Sequence, residues 1–293
     1  GMDKPFAAIS SDGICDVQLM PNGQVISYFV FDNDGNAIDN ITDWALERFR
    51  ERYDGSRQSL VVSRQSEVVN DAEPGTLEQI TKPDIFHYVY AVLHNPAYRK
   101  KYELNLKREF PRIPFYEDFW QWAEWGKKLM DLHINFETAE PWPLEMLEKQ
   151  AERPMKEIQP ELLSEAAEID PMFAYQPKIK VKLKVEQWNS ETVKQWNAGT
   201  LEPDAKVIVL DEVTALAGIP AIAWEYKLGN RSALEWILDQ YKEKKPSDPT
   251  IAEKFNTYRF ADYKDKVIDL LKRVCTVSVR TMEVVREMEN VIE

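Results

Sequence analysis

The sequence predicts an α+β fold: a helical block, then a mixed β-rich subdomain, then C-terminal helices. Three observations carry this expectation. Residues 81 to 135 repeat apolar side chains every three or four positions, as helices do. From residue 172 the character changes to short apolar runs, KIKVKLKV, KVIVLDEV and IPAIAWEY, separated by turn residues. From about Tyr263, Val267, Leu270, Leu271, Val274, Val277, Val284, Val285 and Met288 return to helical spacing. The order of elements divides the chain into an N-terminal hairpin/helix segment and linker at 1–80, a helical subdomain with an acidic connector at 81–170, and a β-rich subdomain with C-terminal helices at 171–293. No internal repeat is visible.

The elements follow in chain order. Residues 14 to 31 alternate loosely around Pro21-Asn22-Gly23, a hairpin signal, and Asp32-Asn33-Asp34-Gly35 marks a second turn. Ile41, Ala45, Phe49 and Tyr53 lie four apart, on one helix face, and the polar residues 54 to 80 read as a loop or linker. Thr81 and Asp84 fit a capping box over KPDIFHYVYAVLH, with Ile85, Phe86, Val89, Tyr90 and Leu93 as its apolar face. Asn95-Pro96 ends that helix and caps the next. Tyr98, Tyr102, Leu106 and Phe110 continue as an apolar row until PRIP at 111–114 breaks it, and Phe119, Trp122, Ala123, Leu129 and Met130 face inward on a further helix. Residues 137 to 170 hold ten acids against three basic residues and read as an exposed connector. SALEWILDQY reads as a short helix.

Composition narrows the classes of function. With 44% hydrophobic residues in 293, the chain can bury a sizeable core. No apolar run approaches the roughly 20 residues a membrane span needs, and no charged-then-apolar leader opens the chain. Cys15 and Cys275 alone make neither a disulfide framework nor a zinc site. These features together predict a cytoplasmic protein. The net charge of −13 counts against unaided DNA binding, because affinity for DNA comes mostly from cations meeting phosphates.

Catalytic patterns are sparse. There is neither the glycine-rich cofactor turn nor the Asn/Asp-Pro-Pro-aromatic loop of a methyltransferase, and Trp125-Gly126-Lys127-Lys128 is only a fragment of a P-loop. His87, His94 and His133 have no carboxylate–histidine spacing that suggests a metal, so packing or capping roles are expected. Pro203-Asp204 with Glu225-Tyr226-Lys227 matches a PD…ExK nuclease, in which two carboxylates hold Mg²⁺ and a lysine assists the attacking water. That pattern is short and common. The expectation is therefore no catalytic residue, no metal and no cofactor in this chain.

The basic residues are more informative. Arg99, Lys100, Lys101, Lys107, Arg108 and Arg112 cluster on one helix and its exit, with only Glu103 and Glu109 among them. Lys178, Lys180, Lys182 and Lys184 recur at every second residue, so a strand puts them on one face. Lys227 and Arg231 flank Gly229 at a turn. Such rows can track phosphates while loop side chains read base edges; a solvated lysine face is the alternative, and for 178–184 the two stand even.

Four segments in order resemble one family: NITDWALERFRERY at 40–53; KPDIFHYVYAVLHNPAYRKKYELNLKREFPRIPF at 82–115, continuing through FWQWAEWGKKLMDLHINFE; GIPAIAWEYKLGNRSALEWILDQYK at 218–242; and DLLKRVCTVSVRTMEVV at 269–285. They resemble the C-terminal specificity region of type ISP restriction-modification enzymes. In those enzymes one polypeptide carries a nuclease, a translocase, an adenine-N6 methyltransferase and this region. The resemblance implies a DNA target-recognition domain that binds duplex DNA sequence-specifically, has a methyltransferase domain or subunit as partner, and leaves S-adenosylmethionine to that partner. It also accounts for Tyr226 and Lys227 independently of the nuclease motif, as part of the YKLG turn. A Mg²⁺-dependent nuclease and an interaction subunit or remnant that no longer binds DNA are the alternatives.

Overall fold

The computed structural model describes residues 5–13, 24–64, 79–149, 179–196, 198, 201, 204–244, 247–248 and 257–289. The chain divides into two compact units, one of Gly1–Ala139, Lys227–Asn230 and Val279–Glu293, the other of Glu140–Tyr226 and Arg231–Ser278. Architecture is mixed, as expected for α+β: helices dominate the first unit and an antiparallel sheet the second.

In the first unit, β1 (Phe29–Phe31) and β2 (Ala37–Asp39) form an antiparallel hairpin. Its turn is the predicted Asp32–Gly35: one Asp32 carboxylate oxygen accepts from the N–H groups of Asp34 and Asn36, 2.9 and 2.8 Å away, and Gly35 takes φ +84°, which only glycine adopts without cost. The Pro21-Asn22-Gly23 turn lies outside the described residues. Helix α1 (Asp43–Arg64) runs further than expected and takes up the first eleven residues of the predicted linker, a stretch with one glycine and no proline to stop it.

Helix α2 (Lys82–His94) starts where the capping box places it, with the Asp84 carboxylate accepting from the Thr81 N–H at 2.8 Å. Its buried residues are Ile85, Tyr88, Tyr90, Ala91, Val92 and His94, while Phe86, Val89 and Leu93 are only partly covered. The helix is therefore enclosed on more sides than one amphipathic stripe requires. Asn95 closes it and caps α3 (Pro96–Lys101), its side-chain oxygen accepting from the Tyr98 N–H at 2.7 Å. Tyr102 breaks the helix, α4 (Glu103–Leu106) adds one turn, and the chain then runs irregularly to Asp118, the cap of α5 (Phe119–Ile134).

Helices α2 and α5 pack in close contact. The crossing point is Gly126: a Cβ there would sit 1.7 Å from the His87 carbonyl oxygen. All five predicted inward residues of α5 are buried, together with Trp125 and His133. A buried polar line crosses the same core. Tyr90 Oη lies 2.6 Å from His133 Nδ1, and His133 Nε2 lies 3.0 Å from Thr281 Oγ1.

In the second unit, four strands form an antiparallel sheet of order β3-β6-β5-β4: β3 (Glu145–Glu148), β4 (Val181–Gln187), β5 (Lys206–Asp211) and β6 (Thr214–Ala217). Strand β5 is central and buried from Val207 to Asp211, as its unbroken apolar run predicts. Val207 and Val209 on one face join Leu147, Ala215 and Ala217 around Trp188, beneath α6 (Ser190–Gln195). Two expectations are corrected here. Part of the acidic connector is β3, an edge strand. IPAIAWEY is not a strand: Gly218 at φ +80° and Pro220 stop the sheet, and Ala221–Trp224 form a 3-10 turn. KVIVLDEV instead supplies β5 and the turn into β6, closed by Asp211 Oδ1 accepting from the Val213 N–H at 2.9 Å.

Two short strands, β7 (Lys227–Leu228) and β8 (Arg231–Ser232), lead into α7 (Ala233–Gln240), where Ser232 and Glu235 make a reciprocal capping box. The final helix, α8 (Lys264–Glu289), confirms the C-terminal periodicity over its β-branched centre. Its Lys264 ammonium pairs with the buried Asp211 carboxylate at 2.8 Å, and Thr276 Oγ1 donates to the Glu140 carbonyl at 2.6 Å.

Gly126→Ala is expected to destabilise the protein by about 3 kcal/mol in urea titration, although the same change in an unobstructed helix stabilises it by roughly 1 kcal/mol. An unchanged or raised midpoint would show that α2 and α5 do not cross this closely.

Candidate nucleic-acid interface

Predicted site residues fall into two sets, one in each unit. In the first unit the basic cluster spans α3, α4 and the irregular segment after them, not a single helix. Lys100 and Lys101 are exposed at the last turn of α3, with the Lys101 ammonium 5.5 Å from the Tyr102 ring centre. Arg108 is exposed on the turn after α4, and the Arg112 side chain is 89% exposed, with Glu109 at 3.4 Å. Lys107 is tied to Glu103 at 2.7 Å, an i,i+4 surface pair. Arg99 differs from the rest. It is half-buried, its Nε donates to the Leu93 carbonyl, and its guanidinium lies 5.8 Å from the Phe6 ring centre. Lys227, also of this unit, is exposed in β7 before Gly229, which takes φ +71°.

The segment from 110 to 118 has no regular structure, yet it is firmly held. Tyr98 Oη donates to the Arg112 carbonyl at 3.0 Å, Tyr88 Oη to the Pro114 carbonyl at 2.8 Å and Tyr53 Oη to the Tyr116 carbonyl at 2.6 Å. The Tyr116 N–H in turn donates to Tyr88 Oη at 2.7 Å. Three helices thus each contribute one tyrosine hydroxyl to backbone that no ladder satisfies. Burial pushes the Tyr88 and Tyr53 hydroxyls up from their usual range, so both stay neutral donors.

In the second unit, Lys182 and Lys184 lie on the edge strand β4. Lys180 precedes the strand, and Lys178 lies outside the described residues. The register shifts between Val181 and Lys184, and Leu183 takes φ +36° while remaining buried. The alternation that exposes Lys182 and Lys184 thus includes a bulge, a device that bends an edge strand. Lys184 is paired with Glu186 at 2.5 Å. Arg231 is held by Asp239 at 3.1 Å and lies 5.3 Å from the Trp236 ring centre. Among the described residues, the cationic groups of Lys100, Lys101, Arg108, Lys180, Lys182 and Lys227 have no ion-pair partner. Sequence reasoning passed over Lys206, whose ammonium stands 5.5 Å over Trp224, because it is the lone charge opening a buried strand.

The nuclease pattern is not brought together as a strand-borne site. Pro203 lies outside the described residues. Asp204 sits at φ +69° in the turn before β5, and Glu225 closes the 3-10 turn instead of lying on the sheet. Among the described residues no three His, Cys, Asp or Glu side chains are grouped as metal ligands would be. His94 and His133 are buried, and the His94 Nδ1–H donates to the Tyr90 carbonyl at 2.8 Å. No helix among the described residues is long and apolar enough to cross a membrane.

These features define an α+β chain with basic rows on an anchored loop and on a sheet edge. The chain belongs to the family of Type ISP C-terminal specificity domains, whose model matches residues 1–270. It is similar to the DrdV chain of a cryo-electron-microscopy DrdV–DNA complex, with 44% identity and a TM-score of 0.72, over 97% of this chain and 23% of that one. It also resembles a nuclease-deletion mutant of the Type ISP restriction-modification enzyme LlaGI in complex with a DNA substrate mimic, at 31% identity and a TM-score of 0.44, over 73% of this chain and 14% of that one. The ATP-dependent Type ISP enzyme LlaBIII bound to DNA shares the fold, at 21% identity and a TM-score of 0.52, over 89% and 13% of the two chains. This chain thus spans less than a quarter of the length of the DrdV chain. No curated protein matches it.

Burial, and then the nearby Arg99 charge, hold the His133 imidazole down at about 4, and the same causes lower His94. Because the folded protein resists protonation that the unfolded chain accepts, stability falls as pH drops from about 6.5 towards 4, by about 1.4 kcal/mol per pH unit for each such group. In denaturant titrations across that window, His133→Gln is expected to lose stability less steeply than the parent. Parallel pH profiles would show that His133 is not buried as a neutral ring.

Proposed function

We propose that this chain is the DNA target-recognition domain of a restriction-modification system with an adenine-N6 DNA methyltransferase, and that it binds duplex DNA sequence-specifically for that methyltransferase. The observation that carries the reading is the specificity-domain match over residues 1–270, which spans both basic rows. The 44%-identical DrdV chain was solved in complex with DNA, which supports the same ligand here. The chain holds the duplex while the partner extrudes the target base. S-adenosylmethionine binds the partner, and the system works in the cytoplasm.

Charge sets how this binding behaves. The net charge of −13 opposes polyanion binding, but the acids concentrate in 137–170, whereas residues 99–112 hold six cations against two carboxylates. Attraction to phosphates is therefore local, and affinity in isolation is weak, with a non-specific Kd on the order of 10⁻⁴ M. Arg108, Lys100, Lys101 and Lys182 are the cations freest to meet phosphates, whereas Arg99 positions its own helix.

Fluorescence anisotropy of the chain with random-sequence duplex across a salt series tests this. The expected result is binding that weakens steeply with salt, and that falls about tenfold at low salt in Lys100→Glu/Lys101→Glu through lost phosphate neutralisation. Absence of binding at low salt, persisting after the methyltransferase of the same system is added, would instead favour an interaction subunit or remnant.

A further inference from the structure

Phe110 is one of several large apolar side chains that the fold leaves exposed. It closes the row Tyr98, Tyr102, Leu106 and Phe110, spaced four apart as on one helix face. Tyr98 is buried and Tyr102 and Leu106 are half-buried, but Phe110 is 65% exposed. Pro111 follows it and prevents another helical turn, so the ring leaves the helix face that buries the other three. A single exposed aromatic needs no explanation by itself. This one stands between Arg108 and Arg112, both exposed, with only Glu109 as intervening acid.

Its mounting is also unusual. The chain just beyond it is fixed at Arg112, Pro114 and Tyr116 by hydroxyls from Tyr98, Tyr88 and Tyr53. These bonds satisfy backbone that no ladder pairs, and they also hold the segment in one geometry before any ligand arrives. Such prior ordering removes an entropic cost of binding. Leu104, one helical turn before Arg108, is exposed as well, so apolar surface and cations are interleaved along this stretch. Phosphates take the cations. The bases are the part of a nucleic acid that takes an aromatic ring, by stacking, by wedging into a base step or by contact with a thymine methyl.

We infer that Phe110 is a base-contacting residue of this domain, presented between two phosphate-binding arginines, Arg108 and Arg112, on a tyrosine-anchored loop. The inference rests on the DNA reading above and adds to it a division of labour: the arginines supply affinity and the ring supplies sequence preference.

The test uses the whole chain and a random duplex pool carrying 5-iododeoxyuridine in place of thymidine. Binding is first confirmed by anisotropy, then the complex is irradiated and adducts are mapped by mass spectrometry. In parallel the parent, Phe110→Ala and Arg108→Ala/Arg112→Ala are used to select preferred sites. The expected result is an adduct on Phe110, and a Phe110→Ala protein that melts normally and keeps its salt dependence but loses about tenfold in its preference for selected over random duplex. Arg108→Ala/Arg112→Ala should weaken both duplexes alike and flatten the salt dependence. DNA bound without an adduct on Phe110, or a Phe110→Ala protein that selects the same sites with the same preference, overturns the assignment and leaves the DNA reading intact. No anisotropy change with any duplex, alone or with the methyltransferase of the same system, overturns both.

Discussion

Tyr88 is fully buried, and its hydroxyl is both donor and acceptor: it gives its proton to the Pro114 carbonyl and receives the Tyr116 N–H. Much of the first unit follows from this pair of bonds. A tyrosine so deeply placed must find partners for its oxygen, and an irregular segment must find partners for its amides. Each need meets the other. Tyr53 lies 3.3 Å from Tyr88 and spends its own proton on the Tyr116 carbonyl, so the two hydroxyls share the same short stretch of backbone. The rings fill the core around them: Tyr88 stacks on Phe119 at 5.2 Å, and Tyr116 stacks on Trp122 at 4.5 Å. The aromatic richness of the sequence thus serves first to pack α1, α2 and α5, and through their hydroxyls to hold the basic segment in place.

In the second unit the corresponding constraint is the buried strand β5. Its residues are covered on both faces, and this fixes the register of β4 and β6 on either side. The lysines of β4 are exposed because Leu183 must be buried, at the cost of a bulge and a left-handed backbone at a residue that rarely adopts one. The half-buried Lys264 ammonium neutralises the buried Asp211 carboxylate where the last helix meets the sheet; removing either partner would leave the other charge uncompensated.

Much of this was legible in the sequence wherever a local rule decides the outcome. The Thr81/Asp84 capping box, Asn95-Pro96, the Asp32–Gly35 turn and the inward face of α5 all involve neighbours in the chain, and all stand where expected. Misses occurred where a distant partner decides. Helix α2 is buried on more sides than its stripe because α5 approaches to Gly126, which no pattern within α2 announces. Strand β3 was hidden because MLE between acids carries little strand signal until β6 pairs with it. IPAIAWEY has the composition of a strand, but Gly218 and Pro220 were available to argue otherwise. Of the site, the basic rows were legible as composition. Which cations are already engaged, as Arg99, Lys107, Lys184 and Arg231 are, was not, because each depends on where one carboxylate, carbonyl or ring lands. Spacing alone puts Phe110 in one row with Tyr98, Tyr102 and Leu106; the adjacent PRIP is the local reason that the helix ends before it.

The central claim is that a tyrosine-anchored loop, rigid before any ligand arrives, presents the basic segment to DNA. Amide hydrogen exchange of the peptide spanning residues 107–116, measured by mass spectrometry with and without duplex DNA, tests it most directly. The expected result is slow exchange at Arg112 to Tyr116 in the free protein and further slowing from Lys107 to Arg112 when DNA is added. Exchange as fast as in an unstructured peptide, or protection by DNA that spares this segment, would contradict it.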